Sequence, residues 1–344
     1  MLEYHKKLLM TASEQVYVPT ESTALGLGSS GLPNYNFYTV GAGTLTKKTE
    51  SGTGFTASQM ADVDLSQQDD FAVGINQTTS AFDSYDIAAS TFTAGNAIPN
   101  QQAWSGGGSC AINPKDGTIV MGTDSGGPHV YSRNSGTGNY TDITTSSGFA
   151  ALSINEVITD MYWSGDGSRL VMVGTYVYLL AWNGATFTVL VGSSDGLTGK
   201  YHCTISADGV HFAATASSGT FNWYKYDGSL TTLTNPSGLP TDCQGLDMNY
   251  DGNLLVIASN TAPYLTAFTM NLSTDTLTLI TPTPFSAAPA GLTYHVKFSR
   301  RGAYLAAAVF NTTNLVFYDV SGSTFTARSS PTLPAGNGVS IGWN

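Results

Sequence analysis

The sequence predicts an all-β chain built from a repeated unit of four antiparallel strands. Three observations predict it. First, an apolar strand, a Ser/Asn-x-Asp-Gly turn and a second apolar strand recur as DMYWSGDGSRLVMVG (160–174), HCTISADGVHFAATA (202–216) and GLDMNYDGNLLVIAS (245–259), with weaker copies at 62–74, 109–122 and 295–308. Second, the Ser or Asn before the turn falls at Ser66, Asn113, Ser164, Ser206, Asn249 and Ser299, at intervals of 47, 51, 42, 43 and 50 residues. A period of about 40–50 residues with four strands per unit is the signature of a β-propeller blade. Third, the 344 residues are rich in Thr and in 38 Gly, with only 11% charged. Thr favours strands, while Gly and Asn favour tight turns.

The elements follow in order along the chain. After each strand pair comes a hairpin of an aromatic-rich strand, an Asn/Asp/Gly/Ser turn and a Thr-rich alternating strand. Examples are 176–191, 220–234, 264–281 and 314–328. This is the hairpin pattern. No convincing helical period extends over 12 residues outside the extreme N-terminus. Six anchors give six blades over 58–335. The ends supply a seventh: 22–30, 35–41 and 44–49 read as second, third and fourth strands, and VSIGWN (339–344) reads as the missing first strand, with Trp343 matching Trp163. The expected architecture is a seven-bladed propeller over 22–344. A composite blade (22–50 plus 336–344) closes it, and residues 1–21 form an arm outside it, either anchoring or disordered. Closure removes exposed sheet edges.

Charge and cysteine content exclude several classes. The chain carries 13 basic and 24 acidic residues, net −11, with the basic residues scattered. No basic stripe exists for phosphate contacts, so no nucleic-acid partner is expected. No apolar run approaches the roughly 18 residues of a membrane helix. The Leu8-Leu9-Met10 run is too short for the apolar core of a signal peptide. Cys110, Cys203 and Cys243 are odd in number and lack CxxC spacing, so buried free thiols are expected. No G-x-S-x-G, H-E-x-x-H or P-loop motif occurs. Five glutamates make a glycosidase reading weak. The Asp residues of the repeat turn (Asp116, Asp166, Asp208, Asp251) are explained by turn chemistry.

The repeat anchors also define a ring. Four residues before each anchor stand Asp62, Ser109, Asp160, His202, Gly245 and His295, with Ser340 as the equivalent in the last strand. The positions one and three before the anchor are apolar and predict packing between blades. Asp160, His202 and His295 are the candidate ligands, because Asp and His suit a divalent transition metal. No other cofactor is expected. Aromatic residues predicted on loops, Trp104, Tyr35 and Tyr140, are candidates for stacking on a sugar. The segment 94–108 is longer than the other links, and long loops on a rigid scaffold carry recognition.

The turn inside a four-stranded repeat resembles the WD-repeat-like and YVTN/lactonase-like propellers over roughly residues 22–344. The Gly-His and Trp-Asp pairs of true WD repeats are absent. Lactonase-like propellers bind a metal near the ring position, so that resemblance allows one at this channel mouth. The start, MLEYHKKLLM, resembles the N-termini of tailed-bacteriophage virion proteins, whose composition is similar. That resemblance implies a non-enzymatic structural protein of the virion, a tail or surface propeller, made in the host cytoplasm. It would dock on other virion proteins through Leu2, Tyr4, Leu8, Leu9 and Met10 and bind a host glycan or protein receptor. The alternative expectation is a metal-dependent, lactonase-like hydrolase with its site at the central channel.

Overall fold

The computed structural model describes residues 24–29, 35–41, 44–50, 60–68, 70–76, 81–100, 108–122, 127–198, 200–216, 219–310, 314–328 and 338–343. The arm residues Leu2, Tyr4, Leu8, Leu9 and Met10, together with Trp104, lie outside this set. Among the described residues the fold is an all-β propeller with two single-turn 3₁₀ segments, and no helix is long and apolar enough to cross a membrane.

Six sheets are four-stranded antiparallel blades. A representative one runs Ile158–Trp163, Arg169–Gly174, Val177–Trp182 and Phe187–Val191 from the channel outward. One of the six is composite. Gly338–Trp343 pairs antiparallel with Ala24–Ser29, which continues into Tyr35–Gly41 and Thr44–Lys47. The last strand of the chain thus occupies the channel position of a sheet whose other strands come from the first, and it packs beside Met60–Leu65.

The expectation of seven four-stranded blades is therefore met by six sheets only. The remaining sheet has five strands, because Thr49–Glu50 adds in parallel to the outer strand Thr91–Ala94. Its cause is local. Leaving the composite blade, the chain passes Lys48, which is buried and donates through Nζ to the carbonyls of Ala88 and Ala89 at 2.7 and 2.9 Å. The next two residues are thereby held against the neighbouring edge and cover it.

The repeat turn works as its residue types require. Ser164 Oγ donates to Asp166 Oδ1 at 2.6 Å and accepts from the Arg169 amide at 3.0 Å. Ser206 repeats this with Asp208 and the His211 amide at 2.6 and 2.9 Å. The following glycine has φ +67° at Gly167 and +72° at Gly209, a region L side chains rarely adopt. Tight turns bring the first two strands of each blade into register. Their apolar residues then pack between blades: Met161, Trp163, Cys203, Ile205, Leu246, Met248, Val296 and Phe298 are all buried. The three cysteines are buried and free.

Candidate active site

The channel-lining strands share an irregularity at their entrance. The ladder to the second strand slips between Met60 and Asp62, Ile158 and Asp160, Lys200 and His202, Cys243 and Leu246, and Thr293 and His295. Such bulges bend a strand and re-aim a side chain. Here each lies at, or just before, a ring position, so Asp62, Asp160, His202 and His295 are all turned by the same device.

A channel-lining strand is the free edge of its sheet, and its outward amides need acceptors. Four carboxylates supply them, in two tiers. In the upper tier Asp62 Oδ2 accepts from the Cys110 amide at 3.0 Å, and Asp160 Oδ2 from the Cys203 amide at 2.9 Å. In the lower tier, two residues deeper, Asp64 Oδ2 accepts from the Ile112 amide at 2.9 Å, and Asp247 Oδ2 from the Phe298 amide at 2.6 Å. Each carboxylate ties its blade to the next. Lys297 fills the middle of the lower tier. Its Nζ lies 2.9 Å from Asp64 Oδ1 and 5.1 Å from the centre of the Tyr162 ring. Tyr162 Oη donates to Asp247 Oδ2 at 3.3 Å, and Thr204 Oγ1 donates to Asp247 Oδ1 at 2.8 Å. Burial works against charge on Lys297, but Asp64, Asp62 and Asp247 outweigh it and hold the ammonium above the ordinary lysine range. Burial pushes the Asp247 carboxyl up to about 6.

Sequence reasoning missed this lower tier. Its signal was available: Asp64, Tyr162, Thr204, Asp247 and Lys297 stand two residues after the ring positions, and alternate strand residues share a face.

At the upper tier the structure brings together Asp160, His202 and His295, residues from three blades. One donor atom from each lies within 4.8 Å of the others. The two imidazoles are stacked, with centres 5.9 Å apart and planes at 29°. His202 Nδ1 is 3.4 Å from Asp160 Oδ2, within ion-pair distance but without hydrogen-bond geometry. Burial alone would raise Asp160. Interaction with His202 and His295 and the hydrogen bond from the Cys203 amide outweigh it and hold the carboxyl below the usual range. Burial pushes His295 down to about 3, so its ring is neutral at pH 7; Asp160 opposes this, while His202 and Lys297 add to it.

Hydrogen bonding fixes how His295 can be used. Its Nδ1 accepts from the Ile341 amide at 3.0 Å. The proton of the neutral ring is therefore on Nε2, and that N–H has no lone pair for a metal. The spacing of the three donors suits a metal ion, but this tautomer does not, since neutral histidine binds metal through an unprotonated nitrogen. It offers a hydrogen-bond donor instead.

The other candidates are placed differently. Tyr140 was expected on a loop, but it lies in strand Tyr140–Asp142, buried in the core cluster that includes Phe71 and Tyr131, with Arg133 6.0 Å from its ring centre. Its ring has no exposed face for a sugar. Tyr35 opens strand Tyr35–Gly41, with its side chain outside the described residues. Gly245 is explained by close approach: a Cβ there would meet the Tyr294 carbonyl oxygen at 2.4 Å and His295 Cα at 2.8 Å.

No protein-family model matches this chain, and no curated protein matches it in sequence. Solved structures do match it in fold. A protein from Lactobacillus plantarum aligns with a TM-score of 0.67 at 16% identity, over 94% of this chain and 99% of that one. A provisionally named 6-phosphogluconolactonase from Bacteroides fragilis gives 0.67 at 14%, over 95% and 99%. A periplasmic gluconolactonase from Pseudomonas aeruginosa gives 0.64 at 14%, over 94% and 98%. At these identities the likeness shows the propeller fold.

These neighbours correct the expectation of a non-enzymatic virion protein that binds a receptor. Two of the three structures named above carry a lactonase's name. The phage reading rested on the first ten residues and on composition, and it is set aside in favour of the alternative.

Proposed function

We propose that this protein is a hydrolase that opens a lactone ring at the channel mouth, using Asp160, His202 and His295. The convergence of these three residues on one mouth carries the proposal, and the lactonase names of the fold neighbours support it.

Each residue has a role its environment suits. Asp160, kept ionised, holds the proton of His202 on Nδ1 and leaves Nε2 as a general base. His202 Nε2 takes a proton from water as the water oxygen bonds to the acyl carbon. The carbonyl electron pair moves onto oxygen, where His295 Nε2–H donates a hydrogen bond. As the intermediate collapses, the ring C–O bond breaks, and the leaving alkoxide takes the proton back from His202. The product is a hydroxy acid. General acid–base catalysis contributes roughly 10²–10⁴-fold, and a hydrogen bond aimed at developing oxyanion charge roughly 10²–10³-fold. The His202–Asp160 contact is long, as such contacts often are before substrate binds.

Proton release from a panel of γ- and δ-lactones, followed with and without a chelator, tests this. The expected result is turnover that survives chelation. Turnover abolished by the chelator and restored by one divalent ion would replace the acid–base mechanism with metal-assisted hydrolysis. No turnover of any lactone would overturn the assignment.

A further inference from the structure

We propose that the substrate is an uncharged lactone whose C–H face lies on Tyr201, and that this mouth selects against phosphorylated lactones. The inference rests on the lactonase reading and narrows it to a substrate class.

The first observation is an aromatic surface beside the histidines. Among the described residues the exposed large hydrophobics are Val157, Val189 and Tyr201, with Tyr201 the most exposed at 49%. Tyr201 is the bulge residue between Lys200 and His202. Its ring centre is 6.4 Å from that of His202, with the planes at 56°. Val157 immediately precedes the channel strand Ile158–Trp163 of the adjacent blade. Tyr201 stands directly beside His202. A half-exposed tyrosine ring costs little entropy to order and offers a flat face to C–H groups.

Charge is the second observation. Among the described residues of the connections that lead into the channel strands, 95–100, 108–109, 144–157, 192–198, 233–242 and 280–292 contain no Lys or Arg, while Asp195 and Asp242 are present; Lys200 is the first residue of the strand that follows 192–198. The upper tier adds Asp62 and Asp160. Lys297 sits one tier deeper and is ion-paired to Asp64. A phosphate dianion at this mouth would meet carboxylates in a site partly shielded from water, where like charges repel strongly. An uncharged ring would meet only hydrogen-bonding groups and the Tyr201 face.

Binding of hydrolysis-resistant δ-gluconolactam and of its 6-phosphate, measured by calorimetry on the full chain, separates this inference from the lactonase reading. The uncharged lactam is expected to bind at least about tenfold more tightly than its phosphate, a difference of about 1.4 kcal/mol. Tyr201→Ala should weaken lactam binding about tenfold, and Tyr201→Phe should retain it. Tighter binding of the phosphate, no binding of the uncharged lactam, or indifference to Tyr201→Ala would overturn the proposal. Lactam binding as expected, in a protein that opens no lactone, would sink the hydrolase reading and leave the recognition intact.

Discussion

Two blades carry the same carboxylate at the same height in the channel and use it differently. Asp62 and Asp160 each accept the amide of the residue that follows, Val63 or Met161, at 2.9 Å. Each also accepts the amide of a buried cysteine on the next blade. The residue before that cysteine differs. On one side it is Ser109, whose hydroxyl donates to Asp62 Oδ2 at 2.8 Å and is consumed. On the other it is His202, whose Nδ1 lies 3.4 Å from Asp160 Oδ2. The bulge and the tie between blades are common to both. A structural staple and a candidate catalytic pair therefore differ by one side chain, and a carboxylate in this ring is not by itself evidence of catalysis.

The largest effect is expected from the purely structural part, beneath both pairs. Lys297 and Asp64 are 12% and 8% exposed. Lys297→Met leaves Asp64 buried without its cation, and losing one partner of such a pair costs about 3–5 kcal/mol. Denaturant unfolding should show a loss of that size; a change below about 1 kcal/mol would mean that the lower tier does not hold the ring. Asp62→Ala and Asp160→Ala come next. Each orphans an amide of the next blade, at about 1–3 kcal/mol, so the two should be alike in stability while only Asp160→Ala impairs lactone opening. Equal loss of activity in both would erase the distinction between the blades. Gly245→Ala should displace His295 through the Tyr294 backbone. A roughly tenfold fall in kcat is expected, since small misplacements in a site can cost more than that.

A further prediction concerns pH dependence. The folded pKa of His295, about 3, is below its unfolded value of 6.5. The unfolded chain binds the extra proton, so this contribution is present above pH 6.5 and is lost as pH falls towards 3. Asp247 acts oppositely between about 4 and 6, because its folded value is raised. The His295 contribution is therefore read as a difference. Melting temperatures of the parent and His295→Gln should converge as pH falls from 6.5 to 3, with Asp247 common to both. Parallel curves would contradict a buried neutral His295.

The repeat was legible because turn chemistry and strand alternation are local. The Ser/Asn-x-Asp-Gly anchors fixed the channel strands, and counting back four residues reached Asp160, His202 and His295 without any knowledge of contacts. What local sequence does not carry is the pairing across blades. The carboxylate-to-amide ties depend on which strands become neighbours, so Asp62 and Asp160 look identical in sequence. Thr49–Glu50 joins the neighbouring sheet because of where Lys48 is held, and Tyr140 is buried because Phe71 and Arg133 come to it from other strands. Tyr201 is exposed because a bulge turns it out, and no residue pattern marks that bulge.

The most direct test of the central claim exchanges the difference between the two blades. His202→Ser reproduces on the Asp160 blade what Ser109 does beside Asp62, and Ser109→Ala serves as the control. His202→Ser is expected to lower the rate of lactone opening at least about 100-fold with an unchanged melting temperature, while Ser109→Ala leaves the rate intact. Equal rates in the parent and His202→Ser would contradict the catalytic role of His202.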